Sequence, residues 1–199
     1  MRRWGLLVAI VALAACSPLG PRRDPTRFYM LAPASPAATP SAPVAVTIGL
    51  GPIGLPSYLA RPELAIRVGP NQIAYSRVDR WAEPLATNIA HVLARALETE
   101  LGASEVTTLP SFGAPRLDYT VDVDMRRFDC DGDGTATLAA FWAIHDARSR
   151  AVLAARETSL TEGATASGTA AAVAALSRAL EGLGRDIAAG VRQVRAGQR

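Results

Sequence analysis

Apolar and polar residues alternate without a break from 117 to 126. Leu117, Tyr119, Val121, Val123 and Met125 fall on one side, and Asp118, Thr120, Asp122, Asp124 and Arg126 on the other. Successive side chains of an extended chain point to opposite faces, so this run predicts a strand with one buried and one wet face. Asp129-Cys130-Asp131-Gly132-Asp133-Gly134 then predicts a turn, and residues 135–145 and 151–161 predict two further antiparallel strands joined at Arg148-Ser149-Arg150. The period changes elsewhere. Leu85, Ile89, Val92, Leu93, Leu97 and Leu101 share one helical face between Pro84, which suits a first turn, and Gly102, which suits a stop. Residues 169–194 carry a second stripe of Val173, Leu176, Leu180, Leu183, Ile187, Val191 and Val194. Gly182, Gly184 and Gly190 lower the intrinsic helicity of that stretch, so it requires tertiary packing.

Residues 44–50 have the valine, isoleucine and threonine density of a strand. Pro52, Pro56 and Pro62 predict that residues 51–62 form a defined loop or crossing segment rather than a regular ladder. Residues 64–68 and 72–75 flank Gly69-Pro70-Asn71 and predict a hairpin. The economical architecture is α+β, a mostly antiparallel sheet with two amphipathic helices packed on one face.

The N-terminus reads differently. Arg2 and Arg3 precede an apolar run over residues 6–15, shorter than the roughly 20 residues that span a bilayer. This is the form of a secretory signal peptide over residues 1–15. Leu13-Ala14-Ala15-Cys16 resembles the lipobox of bacterial lipoproteins, which implies cleavage before Cys16 and acylation of that residue. Ser17 stands where an inner-membrane retention signal would place Asp, so the expected location is the outer membrane, lipid-anchored on its periplasmic face. Residues 16–43 are rich in proline and alanine and predict an extended tether, interrupted by Phe28-Tyr29-Met30-Leu31 as a short edge strand. The folded domain is expected over residues 44–199.

Charge adds little. The formal +3 includes Arg2 and Arg3, every basic side chain is arginine, and no arginine cluster marks a nucleic-acid surface. Cys130 has no intramolecular partner once Cys16 carries lipid, and is expected as a free thiol in a loop.

Candidate catalytic constellations fail on spacing. The aspartates at 129, 131 and 133 match the opening of a calcium loop, but position twelve is Ala140, where the bidentate glutamate belongs. His91 and His145 have no neighbours at ligand spacing, and Ser57, Ser76 and Ser111 lack a nucleophile context. Asp122 and Asp124 read as a solvated strand face. No catalytic residue, metal ligand or cofactor is expected.

Two stretches point to an interface instead. Leu55, Pro56, Tyr58, Leu59 and Arg61 form an apolar piece preorganised by proline, and Arg80, Trp81 and Glu83 set a large aromatic between opposite charges. The alternative for the second stretch is that Trp81 fills the core while Arg80 and Glu83 pair at its edge.

With the lipobox and Phe28-Tyr29-Met30-Leu31, the signature Pro52-Ile53-Gly54-Leu55-Pro56-Ser57-Tyr58-Leu59-Ala60-Arg61-Pro62 followed by Arg80-Trp81-Ala82-Glu83-Pro84-Leu85 resembles the ABC-type transport auxiliary lipoprotein family, the PqiC-like lipoproteins. The aspartate density at 129–133 departs from the family pattern. The resemblance implies a non-enzymatic outer-membrane subunit of an MCE-type intermembrane lipid transport system. It would form a homo-oligomeric ring and dock an MCE-domain tunnel served by an inner-membrane permease. The alternative function is a structural envelope lipoprotein that assists outer-membrane assembly or holds peptidoglycan.

Overall fold

The computed structural model describes residues 24–33, 43–102, 104–111 and 116–198. The signal region, Cys16 and most of the expected tether lie outside them. Among the described residues the elements run β1 (Arg27–Tyr29), β2 (Thr47–Gly54), a 3-10 turn (Ser57–Leu59), β3 (Glu63–Gly69), β4 (Gln72–Trp81), α1 (Leu85–Leu101), β5 (Glu105–Thr108), β6 (Tyr119–Asp131), β7 (Ala136–Asp146), β8 (Val152–Glu162) and α2 (Thr169–Gly197). The α+β class, the hairpin and both helices stand where the hydrophobic pattern puts them.

The eight-stranded sheet is organised by β6. One edge of β6 pairs antiparallel with β7 along its whole length, and β7 pairs antiparallel with β8. The other edge is shared. Its first half takes β2 in parallel, from Ile48 opposite Tyr119 to Gly54 opposite Asp124, with β5 outside β2. Its far end takes β3 in parallel, with Ile66 opposite Cys130. Beyond β3 lie β4, antiparallel to β3, and β1, parallel to β4. The sheet therefore forks along one edge of its longest strand, and the long ladders are antiparallel while the joints of the fork are parallel.

Both helices cover one face. The inward side chains of β6 and β7, including Val121, Met125, Leu138, Trp142 and Ile144, meet the stripes of α1 and α2 in one apolar core. Gly190 of α2 lies over the indole of Trp142, and a Cβ there would fall 2.7 Å from Cη2. A glycine that costs helix propensity thus permits close helix-to-sheet packing. The opposite face is open, with Phe141 and Val152 exposed and His145 Nε2 3.1 Å from Asp122 Oδ2.

Four local expectations change. β2 continues through Pro52 to Gly54, because the proline sits exposed at a register shift between Leu50 and Ile53, where no ladder donor is needed. β6 runs on to Asp131, so the tight turn is Asp131 to Gly134, closed by Gly134 N–H to Asp131 O at 2.9 Å with Gly134 at φ +87°. A register shift between Met125 and Arg127 resets the alternation, which turns Phe128 and Cys130 inward. Cys130 is therefore a buried strand residue rather than a loop thiol, and burial pushes its pKa up to about 12. The short strand β5 had no periodic signal at all.

The Phe28 to Leu31 piece is part of this fold. Tyr29 pairs with Trp81, and Leu31 is buried, its N–H donating to Asn88 Oδ1 at 2.6 Å. Ala32 N–H donates to Ser177 Oγ of α2. Arg27 Nε meets Asp79 Oδ1 at 2.7 Å, and Asp79 also accepts from Ser76 and Thr169 hydroxyls.

Candidate functional site

The fork in the sheet has to be bridged, because β2 leaves β6 at Asp124 and β3 joins it only at Cys130. Residues 55–62 make that crossing. Pro56, at φ −57° and ψ 143°, turns the chain into the 3-10 turn, which closes with Leu59 N–H to Pro56 O and Ala60 N–H to Ser57 O. Leu59 goes into the core, Leu55 and Tyr58 pack half-buried against it, and Ser57, Ala60, Arg61 and Pro62 face outward. The proline segment is thus a rigid surface element with an apolar root.

A buried carboxylate fastens it. The Asp129 side chain is fully buried and accepts from Tyr58 Oη at 2.8 Å, from Arg67 Nη2 at 2.9 Å and Nε at 3.2 Å, and from Arg127 Nε at 2.9 Å. Burial alone would raise its pKa, but the bonds from Arg67, Tyr58 and Arg127 outweigh it and hold the carboxyl below its ordinary value. Burial, with the adjacent carboxylate, pushes the Tyr58 phenol up to about 12. Tyr75 Oη donates to Tyr58 O at 3.2 Å and closes the network from β4. This aspartate was read as a turn residue. Its burial has no local sequence signal, because the bulge sets it on the face away from Phe128 and Cys130 and its partners Tyr58 and Arg67 are far away in the chain.

The stretch from Arg80 to Leu85 meets the first one here. Trp81 N–H donates to Pro62 O at 2.7 Å and Ala82 N–H to Tyr29 O at 2.9 Å. The three segments Phe28 to Leu31, Leu55 to Pro62 and Arg80 to Leu85, separate in sequence, therefore join through main-chain bonds at one edge of the fork. Trp81 is only 7% exposed and packs in the core. Arg80 does not pair with Glu83. Its Nη1 meets Glu63 Oε1 at 2.9 Å, and Glu83 Oε1 stands 4.0 Å from His91 Nδ1. Arg61 lies outside, its guanidinium 4.6 Å above the Tyr75 ring and its Nε 3.3 Å from Glu63 Oε2. Chemically this surface offers an arginine, prolines and aromatic edges on a fixed backbone, the equipment of recognition.

Among the described residues no cluster of three His, Cys, Asp or Glu side chains could hold a metal ion, and no helix is long and apolar enough to cross a membrane. The lipidation residue, Cys16, lies outside them. Behind Leu59 and Trp81 is a cavity of about 320 Å³, which no local sequence pattern predicts.

The fold has relatives. Protein XCC0632 from Xanthomonas campestris, of family DUF330, is 20% identical, with 87% of this chain and 98% of that one covered at a TM-score of 0.72. A second structure, of an uncharacterized protein, is 18% identical, with 83% and 98% covered at 0.69. Both show a common fold. The PelC dodecamer from Paraburkholderia phytofirmans matches more loosely, at 13% identity, 76% and 90% coverage and a TM-score of 0.40. No curated protein matches this chain. The family model for the ABC-type transport auxiliary lipoprotein component matches residues 29–188, starting inside β1 and ending within α2. The chain belongs to the ABC-type transport auxiliary lipoprotein family, whose members are components of transport.

Proposed function

We propose that this protein is an outer-membrane lipoprotein subunit of an MCE-type intermembrane lipid transport system, anchored through acylated Cys16. It acts without catalysis, assembles as a homo-oligomeric ring, and docks the periplasmic MCE-domain tunnel whose other end meets the inner-membrane permease. The observation that carries this reading is family membership over residues 29–188. The lipobox at Leu13 to Cys16 supports the anchor, and the clamped proline segment supports the docking role. Within it, Ser57, Ala60, Arg61 and Pro62 are the residues that reach a partner, while Leu55, Pro56, Tyr58, Leu59, Arg80 and Trp81 hold them in place and Glu83 stands beside His91 of α1.

The test is made in the native host. Tagged protein is cross-linked in intact cells, the outer-membrane fraction is purified, and companions are identified by mass spectrometry. An MCE-domain protein is the expected companion, and Cys16→Ser is expected to lose both acyl labelling and the outer-membrane fraction. Recovery of assembly factors or peptidoglycan fragments without an MCE-domain protein overturns the reading in favour of an envelope scaffold.

A further inference from the structure

We infer that the cavity behind Leu59 and Trp81 binds a single alkyl chain whose head group is uncharged or cationic. The cavity lies between β3, β4, β6 and the first turns of α2. Its walls are Leu59, Leu64, Trp81, Phe128, Val173 and Leu176, and its rim is formed by the Asp131 to Gly134 turn and by Ser167 to Thr169. At about 320 Å³ it stands at the lower end of small-molecule pockets, which suits one chain and excludes a two-chained lipid. Apart from the Trp81 indole N–H and the Cys130 thiol these walls carry no hydrogen-bonding side-chain group, so water finds few partners there and the space gains from an apolar occupant. The Cys130 thiol, also in the wall, is turned to Ala172 O at 3.5 Å.

The rim selects the head group. Asp131 is paired with Arg127 at 3.2 Å, whereas Asp133 bonds the Thr135 N–H and faces solvent without a cationic partner among the described ion pairs. That carboxylate would repel an anionic head, would attract a cationic one and would leave a neutral one indifferent. The first strand is also tied to this rim. Asp79 joins Arg27 of β1 to Thr169, which lines the cavity, and residue 24 is only three positions earlier. On the anchoring proposed at Cys16, and for this point alone, the membrane is a near source of alkyl chains.

The polypeptide 17–199, secreted without lipid, contains every described strand and helix and two tryptophans, Trp81 in the wall and Trp142 outside it. The probes are ω-bromododecanol, ω-bromododecylamine and ω-bromododecanoate, whose bromine quenches an indole on contact. Saturable quenching by the alcohol and the amine is expected below their micellar concentrations, with the carboxylate weaker by about tenfold. Trp81→Phe should abolish the quenching, and Ala172→Leu or Leu64→Phe, which fill the space, should weaken it by about tenfold while thermal unfolding confirms the fold. Absence of saturable quenching, or quenching that survives in Trp81→Phe and in both filled variants, overturns the inference. The carboxylate binding as tightly as the amine overturns its head-group selectivity. Failure to recover an MCE-domain partner in cells bears on the transport reading and leaves this titration unaffected.

Discussion

The two halves of the sheet are held together by different physics. On the β6–β7–β8 side, long antiparallel ladders bury rows of apolar side chains under α2, with Trp142 at the centre, and one polar tie, Trp142 Nε1 to Thr158 Oγ1 and on to Asp186, adds to that packing. On the β1–β4–β3 side the ladders are short and irregular, and single buried polar groups do the fastening: Asp129 for the proline segment, Asp79 for β1, Asn88 for Leu31. Apolar packing spreads stability over many contacts and tolerates gradual change. A buried polar tie concentrates it, because removing one partner strands the others. The half that presents the proposed docking surface is therefore the half built on a few irreplaceable residues.

The largest expected effect comes from breaking the strongest tie. Asp129→Ala leaves Arg67, Arg127 and Tyr58 without their shared acceptor and should cost about 3–5 kcal/mol in chemical denaturation. The same group makes the fold acid-sensitive. Its folded pKa lies below its unfolded value, so its contribution is complete above the ordinary carboxylate range and is lost as pH falls through the folded value. Asp79 shifts in the same direction, with bonds from Arg27, Thr169 and Ser76 outweighing its burial. The denaturation midpoint should fall below about pH 4, and Asp129→Asn should flatten that dependence.

The apolar half is tested by overpacking. Gly190→Ala gains helix propensity but drives a methyl against the fully buried Trp142 indole, and the net should be a loss of about 1–3 kcal/mol. If the variant is more stable, the close packing argued for α2 on β7 is wrong. Asn88→Ala strands the buried Leu31 N–H at a cost of about 1–3 kcal/mol, which should appear chiefly as faster amide exchange over residues 27–32. Uniform acceleration across β6–β8 would instead mean that the two halves unfold together. Smallest is Arg61→Ala, an exposed side chain whose loss should change stability by under about 1 kcal/mol while weakening partner recovery.

The same contrast explains what the sequence made legible. Period-two alternation over 117–125 and the helical stripes after Pro84 and Thr169 follow directly from apolar burial, so the β6–β7–β8 half and both helices could be read off the chain. In the other half the β3–β4 hairpin and the edge strand at Phe28 to Leu31 were legible, but the ties that hold them were not. Asp129 looks like one of a run of turn aspartates, but the shift after Met125 sets it beside Thr137 on the face away from Phe128 and Cys130, and its partners lie 71 and 62 residues away. Pro52 forbids a regular ladder in general but not at a register shift. The residues proposed for docking were recognisable as a group. That Trp81 and Leu59 face inward, and Arg61 outward, depends on a fork in the sheet that no local pattern encodes.

The most direct test places a photo-cross-linking amino acid at Ser57, Ala60 or Arg61 on the proline segment and, for comparison, at Phe141 or Val152 on the open sheet face. The full lipoprotein carries it in its native host. Adducts to an MCE-domain protein from the first group, and not from the second, are the predicted result. Adducts to that protein only from Phe141 or Val152, or to none from either group, would contradict the account.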